Sequence, residues 1–385
     1  MKIGVEEIKS LAIGAAILGA GGGGDPYVGM MMAVRAIEEN GEVELLNPLS
    51  INDDMFIIPT AMMGAPTIMN ERIPSGGETI KSLRALEKHL GRHAEATMPI
   101  ESGGINSTIP FNVAARTGLP VVDADGMGRA FPELQMETFH IYGISGSPAA
   151  ITDERGNTCI LNTVDNYQLE WLARGVTIRM GGASHLAEYP MTGKDVKTTG
   201  IHYSVSLGIR IGDAVRGRGA GGKTPIERLM GVTEGTTYGK CIPLFKGKIL
   251  DVERRTTAGF AIGSVTIVGL DEYQGKTMKI SFQNENLVAN CDGEVVASVP
   301  DIISILDSDR GLPITSENLR YGFRVQVIGI PTPEIMRTPA ALMVWGPRYF
   351  GYDFDFIPLE LRHKEYYSNA RLPPEKMEKY HAALR

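Results

Sequence analysis

Polar side chains follow two neighbouring predicted strands, at the point where each strand ends. The segment PIESGGINS places Glu101 and Asn106 after one strand, and VVDADGMGRAFPE places Asp123 and Asp125 after the next. Because the carboxyl ends of parallel strands form the ligand crevice of an α/β sheet, we expect these side chains to converge. Clustered carboxylates can divide the roles of acid and base, or they can hold a divalent metal. In the alternative interpretation, DADG only forms a turn and caps a helix.

A histidine is the other candidate for proton transfer. His185 follows a glycine pair in GGASHLAEYP, in an otherwise apolar neighbourhood. Histidine can act as a base or a metal ligand near neutral pH, although a lone histidine is as often structural. We therefore predict a catalytic group of Glu101, Asp123, Asp125 and His185. The cofactor is left open: a divalent metal is one alternative, and Asp123, Asp125 and His185 are its predicted ligands.

Glycine-rich segments provide main-chain amides that can approach a ligand closely. GAGGGG at 19–24 satisfies G-x-G-x-x-G, but helical sequence precedes it and no clear acid follows at the ribose position of a dinucleotide fold. We predict instead a loop against a small ligand, with Asp25 beside it. The alternative is a plain turn in which Asp25 caps the next helix.

A phosphate-loop pattern also occurs, in GRGAGGKT at 217–224. A phosphate loop requires a buried strand before it and a helix that begins at the lysine. Here the preceding segment has helical spacing and Pro225 follows the pattern. We interpret the match as coincidental and expect no nucleotide cofactor.

Further polar residues are candidates for substrate binding. Arg254 suits a substrate carboxylate, the run Asn284, Glu285 and Asn286 lies within a predicted strand, and Asp353 lies on one strand face between aromatic residues. Each has the alternative of an ordinary exposed strand. The predicted substrate-binding residues are Gly21, Gly22, Gly23, Asp25, Gly103, Gly104, Asn106, Arg254, Asn284 and Asp353.

The elements that position these residues indicate two domains of an α/β protein. Strands alternate with helices over 40–150, which predicts a largely parallel sheet. After about residue 165 the pattern becomes β-rich, with hairpin turns such as Asp292-Gly293. We predict an N-terminal α/β domain at 1–168, a β-rich α+β domain at 169–360 and a charged tail at 361–385. The segment KTTGIHYSVSLGIRIGDAVRG, residues 197–217, is predicted to be one helix.

Composition limits the partners. The 385 residues carry a net charge of −7, which argues against nucleic acid or an anionic membrane and favours a small-molecule substrate. Three widely spaced cysteines form no disulfide framework, so we expect a reducing, cytoplasmic location. The apolar stretch at 11–20 is too short to span a bilayer. A homo-oligomer is the default expectation.

Seven segments occur in an order that resembles a known family. They are GAGGGGDPYVG, PIESGGINS, GLPVVDADGMGRAFPELQM, GGASHLAEYPMTG, VERRTTAGFA, SFQNENLVA and GPRYFGYDFDF. Together, over roughly residues 5–360, they resemble the S-methyl thiohydantoin desulfurase family, formerly a family of unknown function associated with hydantoin utilisation. The resemblance implies a hydrolase: water attacks the ring carbon that carries sulfur, methanethiol leaves and a hydantoin remains.

The resemblance leaves the substrate open. The segments GINS, IYGISG and GRGAGGKTPIE depart from the family pattern and bear on substrate identity. Three alternatives remain: a hydantoinase-like cyclic amidohydrolase, a noncatalytic hydantoinase-associated ligand-binding subunit, and, third, a nucleotide-binding enzyme. Fold does not fix function, so the site must discriminate among them.

Overall fold

The computed structural model describes residues 1–64, 68, 74–217, 222–257 and 260–367. Its main helices are α1 (Val5–Leu18), α2 (Pro26–Asn40), α3 (Glu78–Leu90), α4 (Ile109–Thr117), α5 (Thr138–Ile141), α6 (Asn166–Arg179), α7 (Gly193–Thr199), α8 (Ser204–Val215), α9 (Pro225–Thr233), α10 (Pro339–Trp345) and α11 (Leu359–Arg362).

The strands in the first part of the chain are short. They are β1 (Lys2–Ile3), β2 (Val43–Leu46), β3 (Phe56–Ile57), β4 (Thr60–Gly64), β5 (Val121–Val122), β6 (Ala124–Asp125), β7 (Ala149–Thr152), β8 (Thr158–Leu161), β9 (Ala183–Ala187), β10 (Met191–Thr192) and β11 (Ile201–His202). Longer strands follow: β12 (Ile242–Thr257), β13 (Phe260–Gly269), β14 (Thr277–Gln283), β15 (Glu285–Cys291), β16 (Glu294–Ser298), β17 (Ile302–Asp307) and β18 (Arg324–Ile330).

The N-terminal strands form several small sheets. β2 pairs in parallel with β5, and isolated parallel bridges join Ile57 to Ala96 and Thr97 to Val121. A four-stranded sheet of order β4-β9-β7-β8 is antiparallel throughout. The largely parallel sheet that we predicted is therefore a set of short parallel pairings beside an antiparallel sheet.

The later strands form one curled antiparallel sheet. Its seven strands have the order β16-β15-β14-β13-β12-β18-β17. The side-chain amide of Asn286 on β15 donates to the carbonyl of Ile303 on β17 at 2.9 Å, although these strands are not neighbours in the sheet. The predicted fold class, α/β with a β-rich second part, is confirmed.

Residues 169–215 pack with the N-terminal elements. β9 lies between β4 and β7, and α8 packs along α1. A Cβ on Gly14 would overlap with the carbonyl of Gly208, and one on Gly212 would overlap with the carbonyl of Ser10. The two helices thus touch backbone to backbone, which only glycine permits at these positions.

The single helix predicted for 197–217 is wrong. α7 ends at Thr199, β11 pairs antiparallel with β6, and α8 begins at Ser204. The break occurs at Tyr203, whose φ of 62° is left-handed and whose N–H donates to the carbonyl of Asp123 at 2.7 Å. A side chain in this conformation cannot continue a right-handed helix.

The start of the predicted tail is packed. Leu361 and Tyr367 are buried, and the Tyr367 hydroxyl donates to the carbonyl of Lys240 at 2.7 Å. The rest of the tail, 368–385, lies outside the described residues, as do 218–221 of the phosphate-loop pattern. Among the helices that the structure describes, none is long and apolar enough to cross a membrane.

Candidate functional site

A cavity of about 70 Å³ lies between the glycine-rich loop and the start of β15. A water needs about 10–15 Å³ of such a cavity, so it has room for several waters. Apolar groups such as Ile100, Met127 and Phe131 form part of its wall. The polar groups that line it are Glu101, Asn106, Glu133, Arg174, Asn284 and Glu285.

The glycine-rich loop forms one side of the cavity because it can lie directly on a carboxyl group. α1 ends at Leu18, and Gly21, Gly23 and Gly24 have positive φ. A Cβ on Gly22 would overlap with Oε1 of Glu285, and the N–H of Gly23 donates to the same oxygen at 3.2 Å. Any larger residue at position 22 would displace this carboxyl.

A second glycine turn holds Glu101 opposite. The N–H of Ile105 donates to the carbonyl of Gly23 at 2.9 Å, so the two turns pack against each other. Oε1 of Glu101 accepts from the Asn106 amide at 2.7 Å, and Asn106 also bonds to both main-chain groups of Met62. Oε2 of Glu101 has no hydrogen-bond partner among the described residues. Asn106 therefore fixes the carboxyl, and the main-chain N–H of Phe131 lies close enough to lower its pKa.

The two buried carboxyls of the cavity, Glu101 and Glu285, both have raised pKa values, but the groups that oppose the effect of burial differ. Burial raises the pKa of Glu101 well above its ordinary value; the Asn106 bond opposes this, and the charges of Glu285 and Asp125 add to it. Burial raises the pKa of Glu285 to about 7, against the lowering effect of Arg129 and of main-chain N–H groups. Both surroundings thus favour the protonated carboxyl, and only Glu285 has a positive charge that opposes the effect of burial.

Arg129 is the positive charge that faces Glu285. It is fully buried, and its guanidinium donates to the carbonyls of Asn286 at 3.0 Å and Asp301 at 3.1 Å. Burial lowers its pKa to about 10, while the charges of Glu285 and Asp301 raise it. We did not predict Arg129. The signal was an arginine inside the apolar run MGRAF, where burial of a charge is costly without partners.

Asp125 holds the turn that carries Arg129. Its Oδ2 accepts from the N–H groups of Ser102 at 2.8 Å, Met127 at 3.1 Å and Gly128 at 2.6 Å. Burial raises its pKa to about 6, and its hydrogen bonds oppose this. Asp125 does not line the cavity. The structure places it behind Glu101, where it fixes two turns of the wall.

Asp123 lies at the N-terminus of α8. Its Oδ1 accepts from the N–H of Ser206 at 2.9 Å, and burial raises its pKa despite this bond. Asp123 thus accepts from the first turn of α8, although the N-cap residue of that helix is Tyr203. This contact matches the alternative interpretation of DADG, and Asp123 is not among the residues that line the cavity.

His185 lies on β9 and faces α3. Its Nδ1 shares a hydrogen bond of 2.7 Å with the Thr79 hydroxyl. Burial lowers its pKa to about 4, while Glu78 and Glu154 oppose the shift. The imidazole is therefore neutral at pH 7. The described part of the chain contains no group of three or more His, Cys, Asp or Glu side chains that could hold a metal, so the divalent metal stays a prediction.

Two family models match the chain, one to each part. They are described as the S-Me-THD-like N-terminal domain, matched at residues 6–163, and the S-Me-THD-like C-terminal domain, matched at residues 164–359. The chain belongs to the S-Me-THD-like family. S-Me-THD stands for S-methyl thiohydantoin desulfurase, so the resemblance found in the sequence is confirmed at the level of family.

A solved structure of another protein has a fold similar to that of this S-Me-THD-like chain. The X-ray structure of a protein from Chromobacterium violaceum superposes with a TM-score of 0.77 at 22% sequence identity. The match covers 93% of this chain and 100% of that chain. At this identity the likeness concerns the fold alone. The search of curated proteins gave no match.

Only some of the predicted substrate-binding residues of this S-Me-THD-like chain line the cavity. Gly23, Asn106 and Asn284 line the cavity. Gly21 and Gly22 lie against Asn286 and Glu285, while Gly103 and Gly104 form the turn that packs against the glycine-rich loop.

Three other predicted binding residues make contacts away from the cavity. Asp25 caps α2 by accepting from the N–H of Tyr27 at 2.9 Å. Arg254 donates to the carbonyls of Ser316 and Glu317. Asp353 is exposed and pairs with Arg348 at 3.1 Å. None of the three lines the cavity.

Proposed function

We propose that this member of the S-Me-THD-like family hydrolyses an S-methyl thiohydantoin to a hydantoin and methanethiol. The family supports a role related to this compound class. The observation that carries the reaction is the pair of buried carboxyls, Glu101 and Glu285, on one small cavity. Two carboxyls whose environments separate their pKa values can serve as acid and base.

Glu285 is the proposed base. Its ionised carboxylate takes a proton from water, and the water oxygen attacks the ring carbon bonded to sulfur. Because the pKa of Glu285 is about 7, the group is ionised often enough and basic enough for this step. The Gly23 N–H at 3.2 Å and the Arg129 charge stabilise the carboxylate form.

Glu101 is the proposed acid. It donates its proton to the ring nitrogen as the tetrahedral intermediate forms, and it takes back the proton of the new hydroxyl as the carbonyl forms. The carbon–sulfur bond then breaks, and the leaving thiolate takes the proton held by Glu285. Both carboxyls return to their starting states, and the two protons of water end on nitrogen and sulfur.

Main-chain amides are the proposed holders of the ring carbonyl. Gly24 lines the cavity with a left-handed φ of 74°, and its N–H is the donor that we assign to this oxygen. Donors fixed by the backbone stabilise developing charge without reorganising.

The test is release of thiol from synthetic S-methyl thiohydantoins by the purified chain. We expect stoichiometric thiol and hydantoin, detected with a thiol reagent and by mass spectrometry. A ring-opened product without thiol would identify a hydantoinase-like amidohydrolase instead. Binding of hydantoin with no product would identify a noncatalytic ligand-binding subunit.

The role of a metal is tested in the same assay. Elemental analysis of the purified chain is followed by thiol release before and after chelation. We expect activity to persist, because the proposed steps use Glu101 and Glu285. Stoichiometric metal with loss of activity on chelation would show a metal-activated water instead.

A further inference from the structure

An open cleft lies next to the cavity, along the outer face of α6. Its volume is about 1060 Å³ and its wall is mostly apolar. The cleft and the cavity share two wall residues, Glu133 and Arg174. The large side chains of the cleft are Tyr167, Trp171, Leu172, Ile178, Phe260 and Tyr349.

The cleft wall exposes large apolar side chains. Trp171 is 71% exposed, Ile178 is 58% exposed and Tyr167 is 45% exposed. Tyr167, Trp171 and Ile178 recur at helical spacing, so they share one face of α6. The other tryptophan, Trp345, is fully buried and stacks on Phe131 at 4.7 Å. An exposed aromatic patch beside a buried polar cavity is typical of a binding surface.

Polar contacts hold the wall between cleft and cavity. The hydroxyl of Tyr349 donates to Oε2 of Glu133 at 2.7 Å. The guanidinium of Arg174 donates to the carbonyl of Pro132 at 2.8 Å and lies 4.6 Å from the ring centre of Phe260. The segment that contains Pro132 and Glu133 therefore borders both spaces and is held in place by Tyr349 and Arg174.

We propose that this cleft binds an aromatic substituent on the substrate ring while the ring itself occupies the cavity. The assignment rests on the proposed function. Because Glu133 and Arg174 border both spaces, a ring held by Glu101 and Glu285 directs its substituent along this wall. The exposed faces of Trp171 and Tyr167 then stack on the substituent, as aromatic pairs favour.

Two substrates and one variant test the assignment. S-methyl thiohydantoins with a methyl or a benzyl group on the ring are compared with wild type and Trp171→Ala. We expect kcat/KM for the benzyl compound to fall about 10-fold in the variant, and that for the methyl compound to stay unchanged. Met343→Ala is the control, because Met343 is 75% exposed and lies outside the cleft. Equal effects on both substrates, or none, would overturn the assignment.

Fluorescence gives a readout that does not depend on turnover. The product analogue 5-benzylhydantoin is titrated against wild type and Trp171→Phe while tryptophan emission is recorded. We expect a saturable change whose amplitude falls in the variant, because Trp171 is removed while Trp345, which stacks on Phe131 of the cavity wall, responds to the ring in both proteins. Thiol release with the same change in both proteins, or with none, would overturn the cleft assignment and leave the proposed function standing. A Trp171-dependent change without thiol release would overturn the proposed function instead.

A second copy of the chain is the competing occupant. Sedimentation of wild type and Trp171→Ala at equal concentration measures the oligomeric state. We expect the two to sediment alike. If the variant dissociates an oligomer and keeps its full activity on the benzyl compound, the cleft is an interface between copies and our assignment is wrong.

Discussion

Glu101 and Glu285 have the same kind of side chain and line one cavity, but different neighbouring groups act on their pKa values. Glu101 has an amide donor and two negative neighbours, Glu285 and Asp125. Glu285 has the Arg129 charge and the Gly23 N–H. Burial raises both pKa values, and the different charged neighbours are the basis on which we propose one group as acid and the other as base.

The substitution Glu285→Gln should lower thiol release by about 100-fold or more, because it removes the base and keeps the shape. The variant should fold, since a neutral amide costs less to bury than a carboxylate. Steady-state kinetics and circular dichroism measure the two effects. Glu253→Gln, at an exposed position of β12, is the matched control and should retain full activity. A fully active Glu285→Gln enzyme would remove this residue from the mechanism.

The pH profile of the reaction should follow Glu285. Since its pKa is raised to about 7, kcat/KM should rise as the pH increases through about 7. Initial rates between pH 5 and pH 9 measure this profile. A rate that is flat across this range would contradict the assignment of the base.

At the scale of elements, the glycine-rich loop determines where the Glu285 carboxyl lies in the cavity wall. Gly22→Ala should abolish turnover, because a Cβ there overlaps with the Glu285 carboxyl. We expect a loss of stability of about 1–3 kcal/mol from overpacking, measured by urea unfolding.

Gly231→Ala is the control for the loop substitution. Gly231 lies within α9, and a Cβ there meets no described atom within 4 Å. Its activity should be unchanged, and its stability should rise slightly because alanine favours a helix. Normal activity of Gly22→Ala would show that the loop does not constrain Glu285.

Local patterns in the sequence predicted the elements but not their long-range pairing. Helical sequence before the glycine run predicted α1, and Asp25 caps α2, as one of the two interpretations expected. The sheet that joins β4, β7 and β9 was not predicted, because β9 arrives more than a hundred residues after β4 and hydrophobic alternation shows only which face is buried. The break at Tyr203 was missed because its left-handed φ follows from a contact to Asp123.

For the site, too, the sequence predicted local features but not the contacts between distant parts of the chain. Glu101 and Asn106, which were predicted because they follow a strand end, line the cavity, whereas the glycine-rich loop follows a helix. Glu285 was noted within its predicted strand but not selected, and Arg129 was not noted, because the contacts of both depend on the packing of β15 against the N-terminal part of the chain. His185 and Asp123 are residue types that catalytic sites use. In the structure His185 hydrogen-bonds to Thr79, Asp123 accepts from the main chain of Ser206, and neither residue lines the cavity.

At the scale of the whole molecule, Arg129 joins the two parts of the chain. Its bonds to Asn286 and Asp301 link the DADGMGR turn to the curled sheet. Arg129→Met leaves these buried carbonyls without a donor, at about 1–3 kcal/mol each, and removes the charge beside Glu285. We expect a lower urea midpoint and a kcat/KM profile displaced to higher pH.

Arg129→Lys distinguishes the two roles of this residue. It retains a positive charge but makes fewer bonds, so the pH profile should return toward that of wild type while stability stays reduced. Arg324→Met, at an exposed position of β18, should change neither property. A normal pH profile in Arg129→Met would leave Arg129 with a structural role only.

The buried acids give the whole molecule a stability that depends on pH. Burial raises the pKa of Asp125 to about 6, Glu285 to about 7 and Glu188 to about 8. A raised pKa means that the folded state binds this proton more tightly than the unfolded state does. The stabilisation from each group is therefore present below the unfolded-state pKa of about 4, and it is lost as the pH rises through the folded-state pKa. The free energy of unfolding should therefore fall between about pH 5 and pH 8.

Glu188→Gln isolates one part of this dependence. Both carboxyl oxygens of Glu188 are buried without a hydrogen-bond partner in the described ranges. The variant should be more stable than wild type at pH 8 and similar at pH 4, as measured by urea unfolding at each pH. A wild type whose stability rises over this range would contradict the raised pKa values.

The position of β9 has a consequence for the order in which the chain can fold. β4 and β7 are complete by residue 152, but the strand that joins them spans Ala183–Ala187. A nascent chain that emerges from the ribosome N-terminus first thus presents two unpaired strand edges until that segment follows. A fragment cut at residue 163, where the family models meet, would keep those edges for its lifetime and would be prone to self-association.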